Sequence, residues 1–294
     1  MLASPPEMNF DWRGGAHLLG SDLWFDAERA PGLTFVSHAG IRAAGTRLLT
    51  SDTTARVLRS MGRRARPLAP PLGRPLTVGA HRVELLSSDL LPGAALLRVE
   101  SRAGTVIYAG ALGARADVRA CDELCLLAPA ITQGVPIESV VRIVAEAKGQ
   151  IPVLLAPGLA EAYLAASALG QVKAPLCAHP SLRTALRALG ISVPALGDSV
   201  TAGKAVLWPL DRPRGRNLAR LPGTRSWALA PAGAATTVMA DYARATGAAE
   251  IVVAGRHAAA FAMALRAEGI TARPVSGPDQ LGLFSESNAE GALV

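Results

Sequence analysis

The residues able to carry chemistry in this chain are few and scattered. Five histidines, His17, His38, His81, His179 and His257, are spread over 294 residues, and no two form a His-x-His or His-x-x-x-His pair. A hydrolytic metal centre needs several imidazole and carboxylate ligands on one point with a position left open for water, so most of these histidines would have to converge by chance. His38 is the best placed of them. It follows the apolar run 33–36, which lies between Pro31-Gly32 and Ser37-His38 in the manner of a buried strand that ends in a functional loop. A single histidine without neighbours also reads as a hydrogen-bonded structural residue. Asp26, in Trp-Phe-Asp-Ala, reads as a turn acceptor for the loop that carries His38. Asp89 could stand in for a histidine ligand, although its segment is equally a polar turn, and His257 stands beside Arg256.

Other chemistries find less. Ser37 next to His38 makes no serine hydrolase, because there is no Gly-x-Ser-x-Gly elbow and adjacent strand residues point to opposite faces. The stretch 197–204 ends in Gly-Lys, but its spacing is wrong for a phosphate loop and Ala follows where Ser or Thr is needed. Cys121, Cys125 and Cys177 are odd in number and contain no Cys-x-x-Cys, which leaves reduced, partly buried thiols.

Charge is the stronger signal. The formal charge is +7 with a pI near 10.0, and all but three of the 30 basic residues are arginine, the exceptions being Lys148, Lys173 and Lys204. That balance favours an anionic partner. Base composition could produce the same arginine bias, so local concentration tells more. Arg56, Arg59, Arg63, Arg64 and Arg66 fall together, and Arg212, Arg214, Arg216, Arg220 and Arg225 form a second group in a Pro- and Gly-rich stretch. Either group also reads as a solvated face.

The elements that would position these residues change character along the chain. Residues 1–32 alternate apolar residues with Gly and Asp, which predicts short antiparallel strands; 50–52 (Thr-Ser-Asp) is a capping signal ahead of an amphipathic helix over 53–61. Residues 76–86 read as a strand bent at Gly79, and 95–100 with 105–108 as a hairpin. After Cys121 the period switches. Strands at 124–127, 151–156, 175–178 and 204–208 alternate with helices at 137–147, 158–169 and 181–189, which are βαβ units and argue a parallel sheet. A strand opening at Trp227, helices at 236–246 and 258–268, and strands at 251–254 and 271–275 follow. A mean hydropathy of +0.28 without an early basic-plus-apolar segment, and with no uninterrupted apolar run of membrane-spanning length, predicts a cytoplasmic chain with no membrane partner.

The order of these pieces resembles the metallo-β-lactamase fold, and in particular its β-CASP nuclease branch, the group of ligase-associated DNA exonucleases and RNA 3′-end-processing nucleases. The likeness is carried by ordered landmarks over roughly residues 10–275: the strand ending in Ser37-His38; Leu85-Leu-Ser-Ser-Asp-Leu-Leu-Pro-Gly-Ala, similar to Pro-Ala-Gly-His-x-Leu-Gly-Ser; Val106-Ile-Tyr-Ala-Gly-Ala, similar to Tyr-x-Gly-Asp; the strand in Cys121–Leu127; the strand, turn and helix from Val153; and the return through Ser226-Trp-Ala-Leu and Ala245–Gly255. The resemblance implies an αββα sandwich from residues 1–125 and 226–294, with a smaller parallel α/β domain, 126–225, inserted. It also implies where two metal ions would be held. In the family's Ser-His-x-His-x-Asp-His motif the ligand positions fall here on His38, Gly40, Arg42 and Ala43; the later ligands fall on Ser88 or Asp89, on Ala111, near Leu127, and in 230–237 and 254–257. Alanine, glycine and leucine ligate nothing.

Three functions follow from the resemblance and its departures. The first is a catalytically degenerate nuclease relative that binds nucleic acid or a protein partner, with Arg59, Arg63, Arg64, Arg66, Arg214 and Arg216 as the phosphate contacts and no metal. The second is an active metal-dependent exonuclease or hydrolase holding zinc or manganese through a displaced set drawn from His38, Asp89 and His257. The third is a structural subunit of an active paralogue.

Overall fold

Three sheets hold the strands among the described residues of this computed structural model, which are 9–43, 45–128, 134–196, 202–213, 223–233 and 235–275. The first sheet runs in chain order: β1 (Phe10–Trp12), β2 (Ala16–Leu18), β3 (Leu23–Phe25), β4 (Leu33–Phe35) and β5 (Leu48–Leu49). β1 to β3 pair antiparallel as expected, and β3, β4 and β5 then pair parallel. Helix α1 (Asp52–Ser60) begins where the capping signal put it. Ser51 Oγ accepts the Thr54 N–H at 3.1 Å, and both Ser51 Oγ and Thr54 Oγ1 donate to the Gly93 carbonyl, which ties the helix to the 88–94 turn. Gly93 allows this approach: it has φ of 84°, and a Cβ there would lie 2.6 Å from that of Thr53.

Residues 76–86 form a hairpin instead of one bent strand. β6 (Leu76–Val78) turns back onto β7 (His81–Ser87) with Val78 opposite His81. Gly79 at φ 61° followed by a residue of negative φ is the glycine-first two-residue loop that reverses a chain, so the glycine marks a turn and not a bend. β8 (Ala95–Ser101) and β9 (Gly104–Ala109) continue antiparallel, and β10 (Glu123–Leu127) pairs parallel with β9.

After α2 (Val140–Glu146) the chain builds a separate four-stranded parallel sheet: β11 (Ile151–Ala156), β12 (Leu176–Ala178), β13 (Ala205–Pro209) and β14 (Thr224–Ala228), in the order β12-β13-β11-β14. Helices α3 (Leu159–Gln171) and α4 (Pro180–Ala188) connect them. α5 (Thr236–Thr246), β15 (Glu250–Ala254), α6 (Ala258–Ala267) and β16 (Ala272–Pro274) then rejoin the second sheet beside β10. Both ends of the expected segment 126–225 fall inside strands, β10 staying with the larger sheet and β14 with the smaller one.

Side-chain alternation explains the layering. In β10 Cys125 faces the first sheet, where it joins Phe25, Phe35 and Tyr108, while Leu124 and Leu126 face α5 and α6. The first two sheets thus enclose one core and the last two helices cover the outer face of the larger sheet. Each large side chain fully buried there contributes about 1.5–3 kcal/mol. The three cysteines are free and buried, Cys125 and Cys177 completely. Among the described residues no helix is long and apolar enough to cross a membrane.

Candidate functional site

The site is built where β3, β4, β9 and β10 end, against the start of α3. Asp26 follows β3 with φ of 49° and is half-buried, and its carboxylate accepts the Ser37 N–H at 2.7 Å, the Ser37 Oγ–H at 2.6 Å and the Tyr108 hydroxyl at 3.1 Å. Burial pushes its pKa up to about 6 against the lowering pull of those hydrogen bonds. Asp26 thereby fixes the loop that begins at Ser37. In that loop the Gly40 N–H donates to His38 Nδ1 at 3.0 Å. Nδ1 is then the acceptor, so a neutral ring carries its proton on Nε2. Dense surrounding protein pushes the His38 pKa down to about 4, which keeps the ring neutral at physiological pH. A Cβ at Gly40 would lie 2.7 Å from His38 Cε1, so any larger residue there would push the imidazole out of place.

His38 lines a cavity of about 260 Å³ together with Gly40, Leu90, Ala111, Leu127 and Gly233, among others. Besides His38 they include Gly40, Ala111, Leu127 and part of 230–237 among the positions at which the resemblance puts metal ligands, whereas Arg42, Ala43, Ser88, Asp89 and 254–257 do not line the cavity. Two further candidates are directed elsewhere. Asp89, at φ 57°, accepts from Arg115 N–H and Nε at 3.2 and 3.3 Å and does not line the cavity, whereas the adjacent Leu90 does. His257 begins α6, where its carbonyl accepts from Phe261, and is likewise outside the cavity. Among the described residues no group of three or more His, Cys, Asp or Glu is placed to hold a metal ion. The donor set does not fit one: His38 offers a single nitrogen, and both carboxylate oxygens of Asp26 already accept hydrogen bonds from Ser37 and Tyr108.

A residue that the sequence reading passed over completes the cavity. Glu161, in the first turn of α3 and only 7% exposed, accepts the Ala232 N–H on Oε1 at 2.6 Å and so joins the inserted sheet's first helix to the returning chain. Its position three residues after Gly158, an N-cap with no side-chain hydrogen bond, is the signal that was there to find, because glutamate is favoured at that place in a first turn.

Beside this cavity, and sharing Gly40, Ile41, Pro157, Gly158 and Leu159 with it, lies an open groove of about 810 Å³ between the 39–42 loop with the end of α1 and the starts of α3 and α4. Arg42, Arg63 and Arg212 line it. Arg63 donates to the Ala43 carbonyl at 3.0 Å, which aims it across the loop, and Arg42 pairs with Asp211 at 2.5 Å, joining the two walls. The arginine cluster of the sequence is split by the helix. Arg56 and Arg59 fold back onto Asp52, while Arg64 and Arg66 are exposed just past the groove with no partner among the described residues. Arg214 and Arg216 lie outside the described residues.

No family model and no curated protein matches the chain. Among solved structures it is similar to the crystal structure of a protein of unknown function from Enterococcus faecalis V583, with a TM-score of 0.54 and 13% identity over 83% of this chain and 78% of that one. At such identity the likeness speaks to the fold alone.

Proposed function

We propose that the chain is a catalytically degenerate relative of the β-CASP nucleases, with a metallo-β-lactamase-like sandwich and an inserted domain, that holds nucleic acid in the arginine-lined groove without hydrolysing it. One observation carries this reading. Of the positions where the resemblance expects ligands, those that line the cavity at the strand ends include glycine, alanine and leucine around a single neutral histidine, while Arg42, Arg63 and Arg212 line the adjoining groove. Losing one ligand already costs metal affinity or rate heavily, and here nearly all are replaced. Guanidinium groups on the groove walls fix phosphates and read no bases, so binding is weak and independent of sequence.

Two measurements test it together. Purified protein contains no stoichiometric zinc or manganese and cleaves neither DNA nor RNA when either is supplied; one or two metals per chain, lost in His38→Ala, restores the active-hydrolase reading. Binding of a single-stranded oligonucleotide weakens linearly in log–log salt titration, by about 0.7 per phosphate contact. Arg63→Ala with Arg64→Ala lowers that slope by about one to two units. Absent binding at about 50 mM salt, or an unchanged slope, turns the function toward a protein partner such as an active paralogue.

A further inference from the structure

The 260 Å³ cavity and the groove differ in what they can hold, although they are continuous through Gly40, Ile41 and the start of α3. Among the described residues no arginine or lysine lines the cavity. A phosphate entering it would lose its hydration, find no cation, and face the Glu161 carboxylate, so charge keeps phosphates in the groove. What remains in the cavity is an apolar wall, from Leu90, Leu112, Leu127 and Met239, and two polar groups of opposite kind. His38 supplies a donor, because Gly40 already occupies Nδ1 and the Nε2–H has no partner among the described residues. Glu161 supplies an acceptor, because Ala232 occupies Oε1 and Oε2 has no partner among the described residues. One donor and one acceptor between apolar surfaces suit a flat, uncharged ring that carries an acceptor next to a donor on its edge. The volume is just under the roughly 300 Å³ at which drug-sized pockets begin, which is room for a ring and too little for a whole nucleotide.

We infer that the cavity receives a single unstacked nucleobase from a strand lying in the groove, its faces against the leucines and Met239, its edge accepting from His38 Nε2–H and donating to Glu161 Oε2. This subsite rests on the nucleic-acid reading of the groove. All four bases present an adjacent donor and acceptor on the pairing edge, and bases extruded from a stack are recognised by edge hydrogen bonds and by apolar or aromatic cover. The chain thus converts a position suited to metal into one suited to a neutral heterocycle: the same strand ends, with leucine and alanine for ligands, give walls instead of donors.

Uncharged ribonucleosides separate this subsite from the groove, because they carry no phosphate for the arginines. With adenosine, cytidine, guanosine and uridine as probes, saturation-transfer NMR at about 1 mM nucleoside shows transfer to at least one of them. The signal is unchanged between about 50 and 200 mM salt, a range over which phosphate contacts weaken strongly. Glu161→Gln keeps the acceptor for Ala232 and turns the free acceptor into a donor, and it lowers nucleoside affinity about tenfold, the effect of roughly one hydrogen bond set against its partner. His38→Ala lowers it similarly. If that variant fails to fold, Glu161→Gln decides, being isosteric. No transfer from any nucleoside, or transfer that Glu161→Gln leaves unaltered, overturns the subsite. Salt-dependent oligonucleotide binding without nucleoside transfer removes the subsite and leaves the groove standing; nucleoside transfer lost in Glu161→Gln without oligonucleotide binding supports the subsite and removes the groove.

Discussion

Two carboxylates, half-buried Asp26 and buried Glu123, stand at opposite ends of the paired sheets and are held in opposite ways. Asp26, at the end that meets the inserted sheet, accepts three hydrogen bonds, two from Ser37 and one from Tyr108. Glu123, at the start of β10, is 4% exposed, has Oε1 without a partner among the described residues, and lies across the parallel ladder from Glu250. Burial first, then the Glu250 charge, pushes its pKa up to about 8, with Arg273 pulling the other way. At the near end a half-buried acid holds a loop; at the far end a buried one keeps Oε1 without a partner among the described residues. Hydrogen bonds offset the cost of taking the Asp26 carboxylate out of water, whereas Glu123 Oε1 has no such compensation among the described residues.

Removing Asp26 tests the first half of that contrast and has the largest effect. Asp26→Ala strands three buried donors and asks alanine to adopt φ of 49°, so it lowers unfolding free energy by about 3–5 kcal/mol in denaturant titration. Asp26→Asn keeps an acceptor for the Ser37 N–H and costs less. A loss below about 1 kcal/mol for the alanine variant would mean that the loop carrying His38 is held by something other than Asp26.

The second half is read from pH. Glu123 has a folded pKa raised from 4.5 to about 8, so its contribution to stability is full below pH 4.5 and is lost as pH rises to 8; Asp26, raised from 3.8 to about 6, acts in the same direction over its lower window. His38 is lowered from 6.5 to about 4, and its contribution is full above pH 6.5 and lost as pH falls to 4. At the near end Asp26 and His38 oppose one another between pH 4 and 6, whereas between pH 6.5 and 8 Glu123 acts alone. Stability accordingly declines across that upper window, by at most about 1.4 kcal/mol per pH unit. Glu123→Gln flattens the decline and Asp26→Asn does not. An unchanged slope in Glu123→Gln assigns the proton elsewhere.

Periodicity made the elements legible, and geometry hid the site. The helix over 236–246 and the alternation of strands and helices after Cys121 could be read directly, because burying one face forces a period on the sequence. Gly79 misled, since a glycine within an alternating run reads as a bend until its partner strand is known. At the site, Asp26 was legible as a turn acceptor because the chain brings it close to Ser37. Glu161 and Asp211 were not, because their partners, Ala232 and Arg42, are 71 and 169 residues away. The arginine cluster at 56–66 mixes helix and loop spacing, and only the structure shows that Arg56 and Arg59 on α1 turn back onto Asp52 while Arg63, past the helix end, lines the groove.

The smallest effect expected sharpens the same comparison between the two ends. Each carries an ion pair between partly exposed groups: Arg42–Asp211 across the groove, and Arg273–Glu250 beside Glu123. Neither exposed pair is worth more than about 1 kcal/mol, so removing either changes stability little. Their consequences for an anionic ligand differ. Asp211→Asn releases Arg42 toward the groove and raises the salt slope of oligonucleotide binding by up to about 0.7, one further phosphate contact on a single strand. Arg273→Ala removes one positive charge at the far end and leaves the slope unchanged, because beyond a Debye length of about 10 Å at 0.1 M salt its field is screened. If the net charge of the chain governed binding, both substitutions would move the slope, Asp211→Asn upward and Arg273→Ala downward. A change confined to Asp211→Asn assigns the contacts to the groove walls, and equal and opposite changes would make the attraction a property of the whole surface.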